Sequence, residues 1–333
     1  MTRRENSFFV LDSHCDTPSM MLRGRDLSID NEGAHVDFPK LRAGGVDGAF
    51  FAIYIPADLE GEEALNHAES LLSCVEDTLA ANSDRAALAT NAEQAYTNRD
   101  RGLFSVFLGL ENGSPIGNSL ELLREFHSRG VRYMTLCHSR DNLICDSCAS
   151  RVKRWHGLSP FGREVVAEMN RLGMLVDVSH VSDETFYDVL KYSSKPVVAT
   201  HSCCRALADH PRNMTDDMIR ALAEKGGVIQ INFYPVFLDG SFHEEEMYTS
   251  PRPSYKRIVD HIDHVASLVG IDHVGIGSDF DGIDVAPEGL ENISMMPKVF
   301  EEMRRRGYSE NDIAKVASEN FLNVLSSSGG GRS

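Results

Sequence analysis

Runs of apolar, β-branched or aromatic residues recur along the chain at 8–14, 46–55, 103–111, 131–138, 174–180, 196–201, 227–234 and 273–279. They are near-continuous rather than alternating, which suits strands covered on both faces. The stretches between them have helical period. Residues 65–80 put Leu65, Ala68, Leu71, Leu72, Val75 and Leu79 on one face. Segment 120–129 closes at Gly130. Ser159-Pro160 opens a helix that closes at Gly173, Thr215 opens one that stops near Gly226, and 255–269 stops at Gly270. Ser309-Glu-Asn-Asp312 resembles a capping box and starts a last helix running to about Leu325. The Ser/Gly-rich residues 326–333 are expected to form a flexible tail.

Eight strands alternating with helices predict an α/β protein of the (β/α)8 TIM-barrel type, with residues 1–325 as one domain. A doubly wound sheet would need a glycine-rich phosphate loop after an early strand. Gly275-Ile-Gly277 lacks the third glycine and runs into Ser278-Asp279 instead of a helix. The stretch 141–158 is too polar and irregular for core and is expected to be a long loop on the active-site side.

Composition narrows the partners. Across 333 residues the formal net charge is −17, which repels phosphate backbones and anionic lipid, so neither nucleic acid nor a membrane surface is an expected partner. No apolar run reaches the roughly 18 residues of a membrane span. The N-terminus lacks the apolar core of a secretory signal, so a cytoplasmic location is expected. Seven cysteines give no even framework and read as reduced thiols. Cys145-x-x-Cys148 has no second pair of matching spacing, so a disulfide or further metal there is the lesser reading.

In a barrel of this type, reactive groups gather at the C-terminal ends of the strands. His14 and Asp16 stand there on strand 1, Glu111 on strand 3, and His138, His180 and His201 on strands 4, 5 and 6. Asp279 ends strand 8. Any one of these has a bland explanation as a capped or hydrogen-bonded polar group. Together they terminate apolar strands, where an unpaired charge is costly. Histidine and carboxylate without thiolate suit Zn²⁺, with Mn²⁺, Co²⁺ or Fe²⁺ as the alternatives. Three histidines, one aspartate and one glutamate exceed one tetrahedral zinc with an open position. They suit two ions about 3.5–4 Å apart, bridged by a carboxylate and a water or hydroxide. Glu111 is the natural bridge, with His14 and Asp16 on one ion and His180 and His201 on the other. Asp279 is the expected proton shuttle, with Asp281 the lesser alternative. His138 can donate to an oxyanion. Arg212, on the loop after strand 6, can hold a carboxylate.

The residues resemble the membrane (renal) dipeptidases, zinc enzymes of the amidohydrolase superfamily. The matching stretches are Asp12-Ser-His14-Cys-Asp16, Phe38-Pro-Lys-Leu-Arg-Ala-Gly-Gly45, Gly109-Leu-Glu111-Asn-Gly113 and Arg132-Tyr-Met-Thr-Leu-Cys-His138-Ser. They continue with Gly157-Leu-Ser-Pro-Phe-Gly162, Asp177-Val-Ser-His180-Val-Ser, His201-Ser with Arg212-Asn213 beyond, Asn232-Phe-Tyr234 and Ser278-Asp279-Phe-Asp281-Gly282. The resemblance implies two zinc ions on His14, Asp16, Glu111, His180 and His201, with Glu111 bridging. It also implies that His138 contacts the tetrahedral intermediate, Arg212 the substrate's C-terminal carboxylate and Asp279 the catalytic water. It implies hydrolysis of dipeptides, including L-Xaa-D-Xaa, by a homodimer. The alternative within the superfamily is hydrolysis of another small amide, lactam or β-lactam. Superfamily enzymes for lactones, cyclic amides or phosphotriesters usually bridge their metals with a carboxylated lysine. Glu111 and Arg212 point away from these. Cys15, between two ligands, has no assigned role.

Overall fold

The structure is a computed structural model that describes residues 7–329. Its strands are β1 (Leu11–Cys15), β2 (Gly48–Tyr54), β3 (Ala86–Leu88), β4 (Phe104–Glu111), β5 (Val131–Thr135), β6 (Leu175–Asp177), β7 (Val197–Ser202), β8 (Val228–Ile231) and β9 (Val274–Ile276). Neighbouring strands run parallel in the order β1-β2-β4-β5-β6-β7-β8-β9, and helices fill most connections. This is the (β/α)8 TIM barrel that the hydrophobic pattern predicts. Closure happens just beyond β9. Asp16 N–H donates to the Phe280 carbonyl at 2.9 Å, and Asp279 N–H donates to the His14 carbonyl at 3.0 Å. Below them, Asp12 Oδ1 accepts from Ser278 N–H at 2.8 Å.

The apolar side chains divide into two clusters. One lies between sheet and helices. The other includes Phe9, Leu11, Phe50, Phe107, Tyr133 and Phe321. Phe50 stacks on Phe107 with ring centroids 4.7 Å apart and meets Phe321 edge-on at 5.2 Å. Phe321 belongs to the final helix, Asn320–Ser327, which a π-turn over Lys315–Glu319 leads into. Ser318 Oγ donates to the Phe9 carbonyl, before β1, and Asn320 Nδ2 to the Val274 carbonyl, at the start of β9. The chain end therefore seals the N-terminal face of the barrel, and the opposite mouth is the one left for chemistry.

Three differences from the sequence expectation have physical causes. Strand β3 adds a ninth strand that pairs only with the start of β4. It is three residues long with one buried side chain, so it carries no readable period. The last helix extends past Leu325 through Ser327, and Ser328 is buried. The tail expected from Ser326 is thus ordered at its start, and residues 330–333 lie outside the described residues. Finally, loop 141–158 is irregular but not a mere surface excursion, since Ile144, Cys145, Asp146, Ser147 and Leu158 are all buried. The Asp146 carboxylate accepts from the N–H groups of Arg154, Trp155 and Gly157, so the loop satisfies its own buried polar groups. All seven cysteines are free, Cys145 and Cys148 included. Among the described residues, no helix is long and apolar enough to cross a membrane.

One buried histidine ties the barrel to its outer helices. His261 Nδ1 accepts from Cys204 N–H at 3.0 Å, and its Nε2 lies 3.1 Å from the Leu238 carbonyl. Burial lowers its pKa to about 4, so the folded protein keeps it neutral while the unfolded chain protonates near pH 6.5. The folded state is therefore unaffected above about pH 6.5 and loses stability as pH falls toward 4, by at most about 3 kcal/mol. Urea unfolding at pH 7 and pH 4 checks this. The wild type should lose more stability over that interval than His261→Gln.

Candidate active site

The strand-end residues converge. His14 lies within β1 and Asp16 just past it, Glu111 is the last residue of β4, and His201 lies within β7. His138, His180 and Asp279 each stand in the turn that follows their strand. His180 and Asp279 adopt left-handed backbone, with φ of 70° and 63°. Aspartate and histidine visit that region more readily than other non-glycine residues, and there the chain turns the side chain back over the mouth.

Glu111 sits at the centre. Its Oε2 is 3.4 Å from His14 Nε2, while its Oε1 is 3.1 Å from His180 Nε2 and 3.5 Å from His201 Nε2. His138 Nε2 lies farther from Oε1, at 3.9 Å. Around His14 Nε2 stand Asp16 Oδ2 at 3.5 Å and Asp279 Oδ1 at 3.8 Å. His180 Nε2 and His201 Nε2 are 2.9 Å apart. Strands β1 and β7 are not neighbours, yet the His14 and His201 rings approach to 3.8 Å.

Electrostatics separates these groups. Burial opposes a charged His14, but the Glu111 and Asp16 carboxylates outweigh it and hold its pKa well above the ordinary value. Burial and the charge of Glu111 push Asp16 well up. Glu111 is held well below the usual carboxyl range, because the charge of His14 overcomes its own burial. Burial keeps His180, His201 and His138 below the usual imidazole value, helped at His180 by Arg212 and at His201 by His14. The mouth thus crowds the carboxyl groups of Asp16, Glu111 and Asp279 among the four imidazoles of His14, His138, His180 and His201. Two buried atoms of its residues, His14 Nε2 and Asp16 Oδ1, have no hydrogen-bond partner among the described residues. Such orphans are rare in folded proteins, and neutral imidazoles with carboxylates are the donor set of a hard or borderline divalent cation. Three overlapping sets can hold one: His14, Glu111 and His201; Glu111, His138 and His180; His14, Asp16 and Asp279.

The structure also shows what holds these groups in place. Tyr133 Oη is 2.7 Å from His14 Nδ1. Its ring fits only because residue 109 is glycine, where a Cβ would lie 2.1 Å from the phenol Cζ. Thr200 Oγ1 is 2.9 Å from His201 Nδ1. Asn232 Nδ2 donates to Asp279 Oδ2 at 2.8 Å, leaving Oδ1 toward His14. Arg212 donates through Nη2 to the His201 carbonyl at 3.0 Å and lies over the Phe237 ring, and its buried Nη1 has no partner. Asp281, the alternative to Asp279, accepts from Arg25 Nη1 at 2.6 Å and Thr17 Oγ1 at 2.9 Å, so its charge is already matched. Cys15 points away from the ligands, its thiol 3.5 Å from the Phe50 carbonyl.

A cavity of about 390 Å³ opens over this cluster, walled by Tyr54, Tyr234, Phe237, Met20 and Arg212. The sequence reading missed Tyr54 and Asn232 as site residues, although both stand at or just past strand ends, where the same rule applies. Tyr133 and Gly109 left no such signal, because their fit exists only across two strands.

Comparison with known proteins decides the family. The description that matches, over residues 3–329, is membrane dipeptidase (peptidase family M19).

The chain belongs to the membrane dipeptidase family.

It is 35% identical over 330 residues to the dipeptidase tcpJ of Claviceps purpurea, covering 94% of this chain and 76% of that one. A solved metallopeptidase of family M19, dipeptidase AC, superposes with a TM-score of 0.88 at 30% identity, covering 98% of this chain and all of that one. The metallopeptidase of Rhodobacter sphaeroides, solved with a phosphinate mimic of the dipeptide L-Ala-D-Ala, gives 0.88 at 28% identity, covering 97% of this chain and 100% of that one. The protein is thus a dipeptidase of family M19, and its TIM barrel is that of the solved dipeptidases.

Gly282 gives a sharp test of how tightly this dipeptidase site is built. A Cβ there would fall 2.1 Å from Asp16 Oδ2 and 2.7 Å from Asp279 Oδ1. Gly282 is exposed and in a turn, so Gly282→Ala should leave the melting temperature nearly unchanged. Displacing two carboxylates by about an ångström should cut kcat/KM for a dipeptide about 10²-fold. Thermal melts and dipeptide hydrolysis on the same preparation check both halves.

Proposed function

We propose that the protein hydrolyses the peptide bond of dipeptides with a pair of zinc ions held by His14, Asp16, Glu111, His180 and His201. The observation that carries this reading is the division of Glu111, one oxygen toward His14 and the other toward His180 and His201. A carboxylate so placed would serve two ions. His14 and Asp16 would hold one, and the 2.9 Å approach of the His180 and His201 nitrogens suits a shared second. Bound there, the ions supply Lewis acidity and lower the pKa of water enough to give a nucleophile at neutral pH.

The chain's own residues do the rest. The free Nη1 of Arg212 takes the substrate's C-terminal carboxylate, and Nη2 stays fixed on the His201 carbonyl. The aromatic side chains of Tyr54, Tyr234 and Phe237 line the same cavity and limit water around the dipeptide. Asp279, clamped at Oδ2 by Asn232, uses Oδ1 to take a proton from the attacking water and hand it to the leaving amine. His138 reaches into the cavity beside Glu111 and donates to the oxyanion that forms at the scissile carbonyl. The phosphinate complex of the Rhodobacter sphaeroides relative supports including L-Xaa-D-Xaa dipeptides among the substrates.

Two experiments test the reading. Zinc-loaded protein should cleave members of a panel of L-Xaa-L-Xaa and L-Xaa-D-Xaa dipeptides, and a chelator should abolish this. Glu111→Ala should lower the bound metal below two ions per chain. Failure to cleave any dipeptide overturns the reading. In steady-state kinetics, Arg212→Ala should raise KM about 10–100-fold, the worth of a charge-assisted pair. Asp279→Asn should instead lower kcat about 10²–10⁴-fold while retaining its metal.

A further inference from the structure

Below the mouth lies a buried carboxylate that makes no ion pair among the described residues. Asp177 ends β6, and Thr135 and Thr200 stand on the strands to either side of it. All three, with Ser179 and His201, are fully buried. The Asp177 hydrogen bonds can be counted completely. Oδ1 accepts from Ser179 N–H at 3.0 Å and Thr200 N–H at 2.9 Å. Oδ2 accepts the Thr200 hydroxyl at 2.6 Å and the Thr135 hydroxyl. Four donors meet four lone-pair directions, and the carboxylate has no proton to return.

A consequence follows for the next residue. Thr200 Oγ1 carries one proton, and it is committed to Asp177. Its contact with His201 Nδ1 at 2.9 Å must then be one in which the imidazole donates. His201 therefore holds its proton on Nδ1, and Nε2 presents a lone pair to Glu111 and His180. His14 is not fixed in this way, because the phenol of Tyr133 can donate or accept.

We propose that Asp177 and Thr200 are positioning residues that lock the His201 tautomer, so that its Nε2 faces the metal before any metal arrives. The proposal rests on His201 being a zinc ligand, as argued above. It also states what asparagine at 177 would do. Two backbone N–H groups point at Oδ1, so the amide oxygen must sit there. The amide NH₂ then replaces Oδ2 and donates to both threonine hydroxyls. The Thr200 proton has to turn to His201 Nδ1, which forces the ring proton onto Nε2.

The lock can be read without metal. Nitrogen NMR of imidazole-labelled, metal-free protein should show His201 protonated at Nδ1 in the wild type and at Nε2 in Asp177→Asn. Zinc affinity, measured by competition with a chromogenic chelator, should weaken about 10–100-fold in Asp177→Asn and in Thr200→Val. Thr200→Ser keeps the hydroxyl and should stay near the wild type. Thr135→Val removes a bond to the same oxygen but spares the relay. It should lower stability yet leave the tautomer and zinc affinity in place, which a merely structural role for Asp177 would not allow. An Asp177→Asn protein that folds, with His201 still protonated at Nδ1 or with undiminished zinc affinity, overturns the proposal. His201→Ala separately tests the zinc reading: unchanged zinc binding there removes that reading, whereas the tautomer result judges the lock alone.

Discussion

A sheet that closes on itself brings its first and last strands into contact, and in this protein the site is built on that seam. Asp12 holds Ser278 through both its N–H and its hydroxyl. The backbone bonds between His14 and Asp279 and between Asp16 and Phe280 follow directly above. The pairing sets two carboxylates from opposite ends of the chain beside the same imidazole. With the N-terminal face filled by Phe321 and its neighbours, the strands can present reactive groups at one end only.

That arrangement carries an electrostatic cost. Asp16, Glu111 and Asp279 gather around His14 in a mouth where burial weakens solvation. The chain relieves part of it locally, with Asn232 on Asp279 and the imidazoles of His14, His138 and His180 around Glu111. The rest is what a divalent cation bound as proposed would neutralise. The same crowding explains why so much of the surrounding hydrogen bonding, from Tyr133 to Thr200, is directed at the far nitrogens of the histidines.

The barrel and the chemical residues were legible because they obey short-range rules. Strand runs buried on both faces are continuous, and a charged residue ending such a run is conspicuous. What stayed hidden depends on partners that sequence does not place side by side. Asp177 looks like any polar strand end until β5 and β7 put threonines against it. Loop 141–158 reads as too polar for core, yet Asp146 and Asn142 turn that polarity inward onto backbone groups. Strand β3 and the helix Ala92–Asp100 have too few buried residues to set a period.

The left-handed backbone at His180, Asp279 and Asp281 has its own consequence for anyone altering this chain. At these positions a replacement changes two things at once, the functional group and the ease of the turn that carries it. Alanine or a β-branched residue would register both losses together, and the larger deficit would be mistaken for chemistry. Asparagine tolerates the same turn, and glycine enters it freely. In a saturation scan these three sites should therefore rank asparagine and glycine above bulkier neutral residues for folding. That ordering separates backbone geometry from side-chain function at the places where the two are most entangled.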